Sequence, residues 1–438
     1  MELLMAREPF ASMSPWYGGY AFQGVVVLGT APILLPLIVG DATGPAQAGL
    51  VVAALYIGQL TAPMFGALAD GSGRHRLIYA AGYLLLAVGL GLFPLAQTVL
   101  EWFILALMQG LGVAATNTVA SMFIVEFRPK AEWDRRIGWM QTCYGIGQAA
   151  GLGLAALLQQ APAWGMLASA ALMLPGLLIG LLGTPRGRRA GLGAAAAAAQ
   201  TLKRGASISD DATSRRHAPP RQILPHGHIG PATGALLGRF LADLRSPYAL
   251  FMLCWLLVML GTWLIYNLYP LLMQEVYGVG AGVSSVYYAV GAGIGVFAYA
   301  PSGILGQRIG DGAVVLIGSL MSLLSVGAMA ALAFWQPVGL ALLGPLAFLL
   351  LPVAWSPLIV AGTAWAAQLS TMNEGEAVGI LNSTTALASV AAAFGAGVLA
   401  SRFGFDAVLY LAAAAMLLGL LLLLPLRRAG SAGASSPG

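Results

Sequence analysis

Long apolar runs, separated by short polar turns, constrain the fold of this chain more than any other feature. Each run is about 20 residues long, enough for a helix to cross roughly 30 Å of hydrocarbon. The runs are apolar throughout and do not alternate between apolar and polar residues, which excludes the strands of a membrane barrel. The twelve predicted spans are 16–39, 46–69, 77–97, 101–125, 138–160, 164–183, 248–272, 284–306, 313–335, 338–366, 377–400 and 405–426. Since only 8% of the residues are charged, the sequence predicts an all-α integral membrane protein with twelve transmembrane helices.

The distribution of Lys and Arg predicts how these helices are oriented. Of the 21 basic residues, all but Arg402 fall in the termini or in loops on one side of the predicted spans. Positively charged loops stay on the cytoplasmic side of a membrane. The sequence therefore predicts a multi-pass protein of the cell inner membrane with both termini in the cytoplasm.

A polar segment divides the spans into two sets of six. Residues 184–246 include the stretches GLGAAAAAAQ and HAPPRQILPHGHIGP, a composition that cannot bury a core. We expect an N-terminal six-helix half at 1–183, a basic cytoplasmic linker at 184–246, and a C-terminal half with a short cytoplasmic tail at 247–438. The basic residues of the linker either bind anionic lipid headgroups or only enforce the topology, and the second interpretation is the simpler one.

The two predicted halves repeat one another. SPWYGGYAFQGVVVLGT and SPYALFMLCWLLVMLGT share their Ser-Pro and Leu-Gly-Thr landmarks at a constant separation of 232 residues. The matched landmarks, in chain order, are Ser14 with Ser246, Gly66 with Gly303, and Gly138 with Gly379. Because the separations drift by only a few residues while the order is kept, we interpret the chain as a duplicated six-helix unit.

The turn GALADGSGRHR, between the second and third spans, places one acid and two arginines between apolar runs. It resembles a loop signature of the major facilitator superfamily, in particular its drug-efflux branch of proton antiporters. Gly66, Asp70, Gly73 and Arg74 stand at the expected positions, and Arg76 adds a further charge. The resemblance implies a major facilitator fold of two pseudo-symmetric six-helix bundles.

The resemblance also implies a role for this turn, as a cytoplasmic latch in which Asp70 faces the start of the eleventh helix when the cytoplasmic side closes. A second, degenerate copy of the motif keeps Gly303, Arg308 and Gly310. The alternative interpretation is that the arginines only mark the cytoplasmic side.

Two features depart from the antiporter pattern. Ala106 occupies the position of the fourth-helix Arg, and Gln148 replaces the Pro of the fifth-helix signature. Moreover, every Asp and Glu lies near a predicted span end or in a loop, where charge is cheaper than at mid-membrane. If protons are coupled to transport, the candidate carriers are Asp70 and Glu126.

The candidate substrate contacts are neutral polar and aromatic side chains within the spans. The resemblance implies that the first, fourth, seventh and tenth helices line the transport path, and two polar stripes of equal spacing follow the fifth and eleventh helices. The candidates are Tyr20, Gln23, Thr30, Asn117, Gln141, Tyr144, Gln148, Trp263, Asn267, Trp355, Asn382 and Thr385. The alternative is that these groups form helix–helix hydrogen bonds, which are common in membrane bundles.

Together these features predict a secondary transporter that exports a small, apolar, neutral or weakly charged compound. Two alternatives stay open, namely a facilitative uptake carrier for a neutral solute and a non-transporting scaffold that binds a pigment, a lipid or a partner protein. The spans contain no cluster of nucleophiles, acids or metal ligands, so we expect no enzyme, metal site or cofactor. The expected partners are the substrate and the lipid bilayer, with no nucleic acid, and the expected state is a monomer.

Overall fold

The computed structural model describes residues 14–125, 128, 133–184, 246–370 and 374–433. Within these ranges the chain folds into twelve long helices, some of them interrupted. They are α1 (Tyr17–Thr43), α2 (Pro45–Gln59, continued by Ala62–Ser72), α3 (His75–Leu92, continued by Phe93–Leu95), α4 (Val99–Val125), α5 (Trp133–Leu158), α6 (Pro162–Gly183), α7 (Pro247–Tyr266, continued by Tyr269–Tyr277), α8 (Ala281–Ile309), α9 (Asp311–Trp335), α10 (Leu340–Phe348, continued by Leu350–Leu369), α11 (Glu374–Phe403) and α12 (Phe405–Gly433). Each predicted span falls on one of these helices, and the predicted linker lies outside the described residues except at its two ends.

Among these twelve helices, eleven are both long and apolar enough to cross a membrane. The remaining helix, α5, is 26 residues long but carries Gln141, Tyr144 and Gln148 near its middle. Polar side chains at this depth are tolerated where they face the interior of the bundle or a water-filled cavity. The composition of α5 therefore indicates an inner wall.

Proline lies next to an interruption in α1 and in α7, two of the helices that the sequence placed on the transport path. In α1, residues Val25–Thr30 form a π-helical turn that ends two residues before Pro32, which cannot donate a backbone hydrogen bond. In α7 the helix stops at Tyr266 and resumes at Tyr269, with Pro270 in the first turn of the resumed segment. Asn267 lies in this break.

The helix packing is the same in both halves. α1 packs on α5 and α6, α2 on α4, and α3 on α4 and α6, and each of these pairs has its counterpart among α7 to α12. Two further pairs join the halves, α2 with α11 and α5 with α8, and these are also related by the repeat. The described helices of both halves belong to one compact unit. The architecture is thus two pseudo-symmetric six-helix bundles.

The matched glycines of the repeated turn explain part of the sequence repeat. Gly73, after α2, has a φ of 64°, and Gly310, after α8, has a φ of 86°. This left-handed region is open to glycine at no steric cost. Both glycines end a helix at the same point of the repeat, 237 residues apart.

The bundle has two opposite faces where the helices end. The linker face is the one where α6 ends before Thr184 and α7 begins after Ser246. The far face is the opposite one, with turns at Gly44, Gly278 and Gly404. Because each short turn reverses the chain, successive turns alternate between the two faces.

Candidate functional site

The polar side chains of α5 contact both halves of the bundle. Tyr144 is buried, and its ring centroid lies 4.8 Å from that of Tyr20 on α1. The side chain of Gln141 lies close to the Tyr20 hydroxyl. One turn beyond Tyr144, the side chain of Gln148 lies close to the Tyr288 hydroxyl on α8. The predicted stripe on α5 therefore extends from the first half to the second.

A second face of α5 packs against the backbone of α1. A Cβ atom on Gly147 would overlap the carbonyl oxygen of Ala21, and one on Gly151 would overlap the carbonyl oxygen of Val25. Small residues spaced four apart allow this backbone-to-backbone approach between membrane helices. The two glycines are required for packing within the first half, whereas the polar stripe lies beside them.

The polar candidates on α1 and α4 bond to neighbouring helices. Gln23 is fully buried and donates from Nε2 to Asn117 Oδ1 at 2.6 Å. Its own Oε1 is buried without a hydrogen-bond partner. The hydroxyl of Thr30 shares a hydrogen bond of 2.7 Å with Ser169 on α6, so this group contributes to helix packing.

Trp263 on α7 lies at the centre of an aromatic cluster between the halves. Its ring meets Tyr56 of α2 edge to face, with centroids 5.3 Å apart, and Trp355 of α10 at 5.9 Å. Behind it, Tyr266 lies 5.9 Å from Trp263 and stacks on Tyr288 at 5.3 Å. Tyr56 is the member of this cluster that comes from the first half.

Hydrogen bonds join α7 to α11. Trp255 donates from Nε1 to the hydroxyl of Thr385 at 2.8 Å, and Asn267 donates from Nδ2 to the carbonyl oxygen of Ser389 at 3.2 Å. The Oδ1 atom of Asn267 is buried without a partner. Asn382, two turns before Ser389, is exposed. Two of the polar candidates in the second half therefore take part in helix packing.

The two halves are in direct contact at the far face. The carbonyl oxygen Oε1 of Gln159, at the end of α5, accepts a hydrogen bond from the backbone N–H of Gly282, in the first turn of α8. Gly49 of α2 packs directly on Gly397 of α11, since a Cβ on Gly397 would lie 3.0 Å from the Cα of Gly49. Both contacts join opposite halves.

Closer to the linker face, Gly145 of α5 still packs on Val296 of α8. Beyond this contact, some polar side chains of α5 and α11 are exposed. Gln141 and Asn382 are exposed, and Phe297 is 83% exposed. Exposure of Gln141 and Asn382 to lipid would be energetically unfavourable. We therefore interpret the space beside them, between the halves, as a wet path that opens to the linker face.

The predicted latch is only partly described. Gly66 and Gly73 lie in and after the second segment of α2, while the side chain of Asp70 and the whole of Glu126 lie outside the described residues. Arg74 is exposed. Arg76 donates to the carbonyl oxygen of Leu181 near the end of α6, where a cation also complements the helix dipole.

The second copy of the motif contains an acid that the sequence reasoning did not select. Gly303 lies within α8, Gly310 ends that helix, and Arg308 is exposed. Asp311, the first residue of α9, accepts a hydrogen bond from Gln368 of α10 at 2.7 Å. This contact was missed because the family pattern places the acid earlier in the turn.

Charge is confined to helix ends in the part of the chain whose side chains are described. The acidic side chains there are Asp41, Glu101, Glu275, Asp311 and Asp406, and each lies within a turn of a helix terminus. Among the same residues there is no group of three or more His, Cys, Asp or Glu that could hold a metal ion. The described path is therefore lined by neutral side chains.

Three tyrosines in this region were absent from the sequence prediction. They are Tyr56, Tyr266 and Tyr288. The sequence reading counted each as part of an apolar span. The only available signal was the recurrence of Tyr in α2, α7 and α8, which does not distinguish a ring in the path from one in the core.

Comparison with known proteins agrees with this architecture. A family model described as Major Facilitator Superfamily matches residues 17–371. The tetracycline resistance protein, class C, of Escherichia coli is 30% identical over 128 residues, which is 29% of this chain and 32% of that protein. The chain thus matches about a third of the length of that relative.

Similar folds are found among solved structures. A nucleoside transporter mutant aligns over 94% of this chain and 98% of its own, with a TM-score of 0.73 at 13% identity. A D-xylose-proton symporter aligns over 94% and 96%, with a TM-score of 0.66 at 14% identity. A bacterial homologue of the human lysosomal transporter Spinster, in an inward-facing occupied conformation, gives 0.67 at 12% identity over 94% and 96%. With the family model covering most of its length, the chain belongs to the Major Facilitator Superfamily.

Proposed function

We propose that this protein is a secondary carrier that exports a small, apolar, neutral or weakly charged compound by alternating access. The observation that carries the proposal is the path between the halves, which is closed at the far face by Gln159 with Gly282 and by Gly49 with Gly397. The described side chains that line this path carry no charge. Rocking of one half against the other would open the far face and close the linker face.

The direction of loading depends on the orientation in the membrane. The count of basic residues supports a cytoplasmic linker face, so that the path described here would be open to the cytoplasm. A Cys introduced at Ser209 should then resist a membrane-impermeant thiol reagent in intact cells and react after permeabilisation. Strong labelling in intact cells would reverse the orientation.

Export is supported by the partial match to a tetracycline resistance protein. A second candidate, uptake of a neutral solute, is supported by the same uncharged walls, since a neutral solute needs no counter-charge in its site. Inside-out and right-side-out proteoliposomes, with and without an imposed pH gradient, separate the two. Accumulation of neutral compounds in inside-out vesicles alone supports export.

Proton coupling, where it occurs, is proposed to use Asp70 or Glu126. An antiporter needs a group whose proton affinity changes between its two open states, and the described walls of the path contain no carboxylate. Substrate-induced proton movement should therefore fall in Asp70→Asn or Glu126→Gln. Proton exchange that survives both substitutions would remove these candidates.

The same walls predict the charge preference of the carrier. A permanent cation would lose its hydration without meeting an acid, so a quaternary ammonium compound should bind poorly. Tight binding of such a cation would contradict the proposed neutral substrate class.

A further inference from the structure

Three aromatic rings stand between the halves with part of their surface open. Tyr56, Trp263 and Trp355 are half-buried, whereas Tyr266 and Tyr288 behind them are buried. Aromatic faces and edges of this kind pair preferentially with another ring. The three open rings therefore form a surface suited to a flat, unsaturated group.

The contact between Tyr56 and Trp263 is also one that transport must break. Tyr56 belongs to the first half and Trp263 to the second, so their 5.3 Å edge-to-face contact parts when the halves rock. A flat ring entering at this point would replace the lost contact. An aliphatic solute of similar size would replace its area but not its ring geometry.

Two polar atoms of α7 are covered in this arrangement of the halves and have unused hydrogen-bonding capacity. Trp263 Nε1, a donor, and Asn267 Oδ1, an acceptor, are buried without hydrogen-bond partners. The orientation of the Asn267 amide follows from its Nδ2, which donates to the Ser389 carbonyl. The Asn267 N–H donates to the Trp263 carbonyl at 3.1 Å, so the helical turn extends to the break and places the two side chains on one face. Leaving both atoms unpaired is unfavourable, so a ligand that satisfies them gains affinity.

From these contacts we infer that the substrate is a flat, uncharged aromatic or heteroaromatic compound whose edge carries a hydrogen-bond acceptor beside a donor. Its ring packs among Tyr56, Trp263 and Trp355, its acceptor receives the Trp263 Nε1 proton, and its donor bonds to Asn267 Oδ1. This inference rests on the proposed transport function and narrows its substrate class.

Four small probes distinguish the contributions of the aromatic ring, the hydrogen-bonding edge and the charge to binding. 2-Quinolone has a flat ring with adjacent C=O and N–H groups, and N-methyl-2-quinolone lacks the donor. Caprolactam keeps the edge without aromaticity, and 1-methylquinolinium is a permanent cation. Equilibrium dialysis against the purified full-length protein should rank 2-quinolone about tenfold tighter than N-methyl-2-quinolone and caprolactam, as expected for one lost hydrogen bond or ring contact. Binding of 1-methylquinolinium should be weaker still.

Variants test the assigned atoms. Trp263→Phe keeps an aromatic ring and removes the donor, so it should weaken 2-quinolone binding about tenfold and leave the affinity for naphthalene unchanged. Asn267→Leu should weaken 2-quinolone but not N-methyl-2-quinolone. Trp164→Phe, on a tryptophan that is 69% exposed, is the matched control and should bind every probe as the native protein does.

The outcomes decide the inference independently of the transport function. Equal loss of 2-quinolone and naphthalene binding in Trp263→Phe would indicate a purely structural role and overturn the assignment, as would caprolactam binding as tightly as 2-quinolone. If neutral aliphatic compounds are transported in proteoliposomes while no quinolone binds, the inference fails and the proposed carrier stands. If no neutral compound is transported at all, the proposed function itself fails.

Discussion

Gln159 of α5 accepts a hydrogen bond from the backbone N–H of Gly282 in α8, and this bond crosses from one half of the bundle to the other. The first N–H groups of a helix have no partner within that helix, so the Gln159 side chain satisfies one that would otherwise need water. The bond exists only while the far face is closed. The bond therefore stabilises the state in which the far face is closed relative to the state in which that face is open.

Removing this bond should favour opening of the far face. A neutral hydrogen bond of this kind contributes about 1 kcal/mol, which corresponds to about a fivefold shift in population. In Gln159→Ala we expect a Cys placed at Ala46, in a variant lacking Cys143 and Cys254, to react several-fold faster with a membrane-impermeant thiol reagent.

Gln97→Ala is the matched control, since Gln97 is an exposed glutamine near the far face, and it should leave the labelling rate unchanged. An unchanged rate in Gln159→Ala as well would show that the bond does not influence the equilibrium.

The glycine contact between α2 and α11 should be required for closure of the far face. A side chain on Gly397 would meet the Pro45 carbonyl oxygen at 2.7 Å, and overpacking of a close contact costs about 1–3 kcal/mol. We expect Gly397→Leu to insert normally, to lose transport and to keep the far face reactive. Gly395→Leu, where an added Cβ meets no described atom within 4 Å, should retain transport, and equal loss in both variants would remove the closure role of Gly397.

Much of this fold follows from the sequence because burial in a membrane leaves few alternatives. The length of each apolar run determines where a helix lies, and the repeated landmarks, such as Gly66 with Gly303, predicted a duplicated six-helix unit. The breaks were less predictable. Leu60 and Asn267 are neither Gly nor Pro, and their interruptions arise from prolines located three positions downstream, at Pro63 and Pro270.

The site was predicted less completely, because composition does not reveal what a side chain faces. Thr30 and Thr385 were selected as polar residues in a span, and the structure places both in interhelical hydrogen bonds. Tyr56 was passed over as part of an apolar run, although it contacts Trp263 across the halves. Only tertiary packing distinguishes these cases.

Asp70 is expected to act when the linker face closes. Replacing the carboxylate by an amide in Asp70→Asn removes its charge while keeping its size, so insertion and folding should be normal and transport should fall. Transport rates normalised to the amount of protein in proteoliposomes test this. Asp41→Asn, which changes an exposed acid near the far-face end of α1, should transport normally, and normal transport by Asp70→Asn would remove the latch hypothesis.

The approach of α5 to α1 should determine the stability of the first half. Gly151 lies against the α1 backbone at Val25, whereas Gly153 on the same helix has no described atom within 4 Å of its added Cβ. Gly151→Val would separate the two helices at a cost of about 2 kcal/mol and should lower the thermal unfolding midpoint by several degrees in detergent. Gly153→Val introduces the same side chain at the same depth and should change the midpoint little. A similar fall in both variants would mean that the valine acts through helix propensity, and that the glycine contact between α1 and α5 adds no stability.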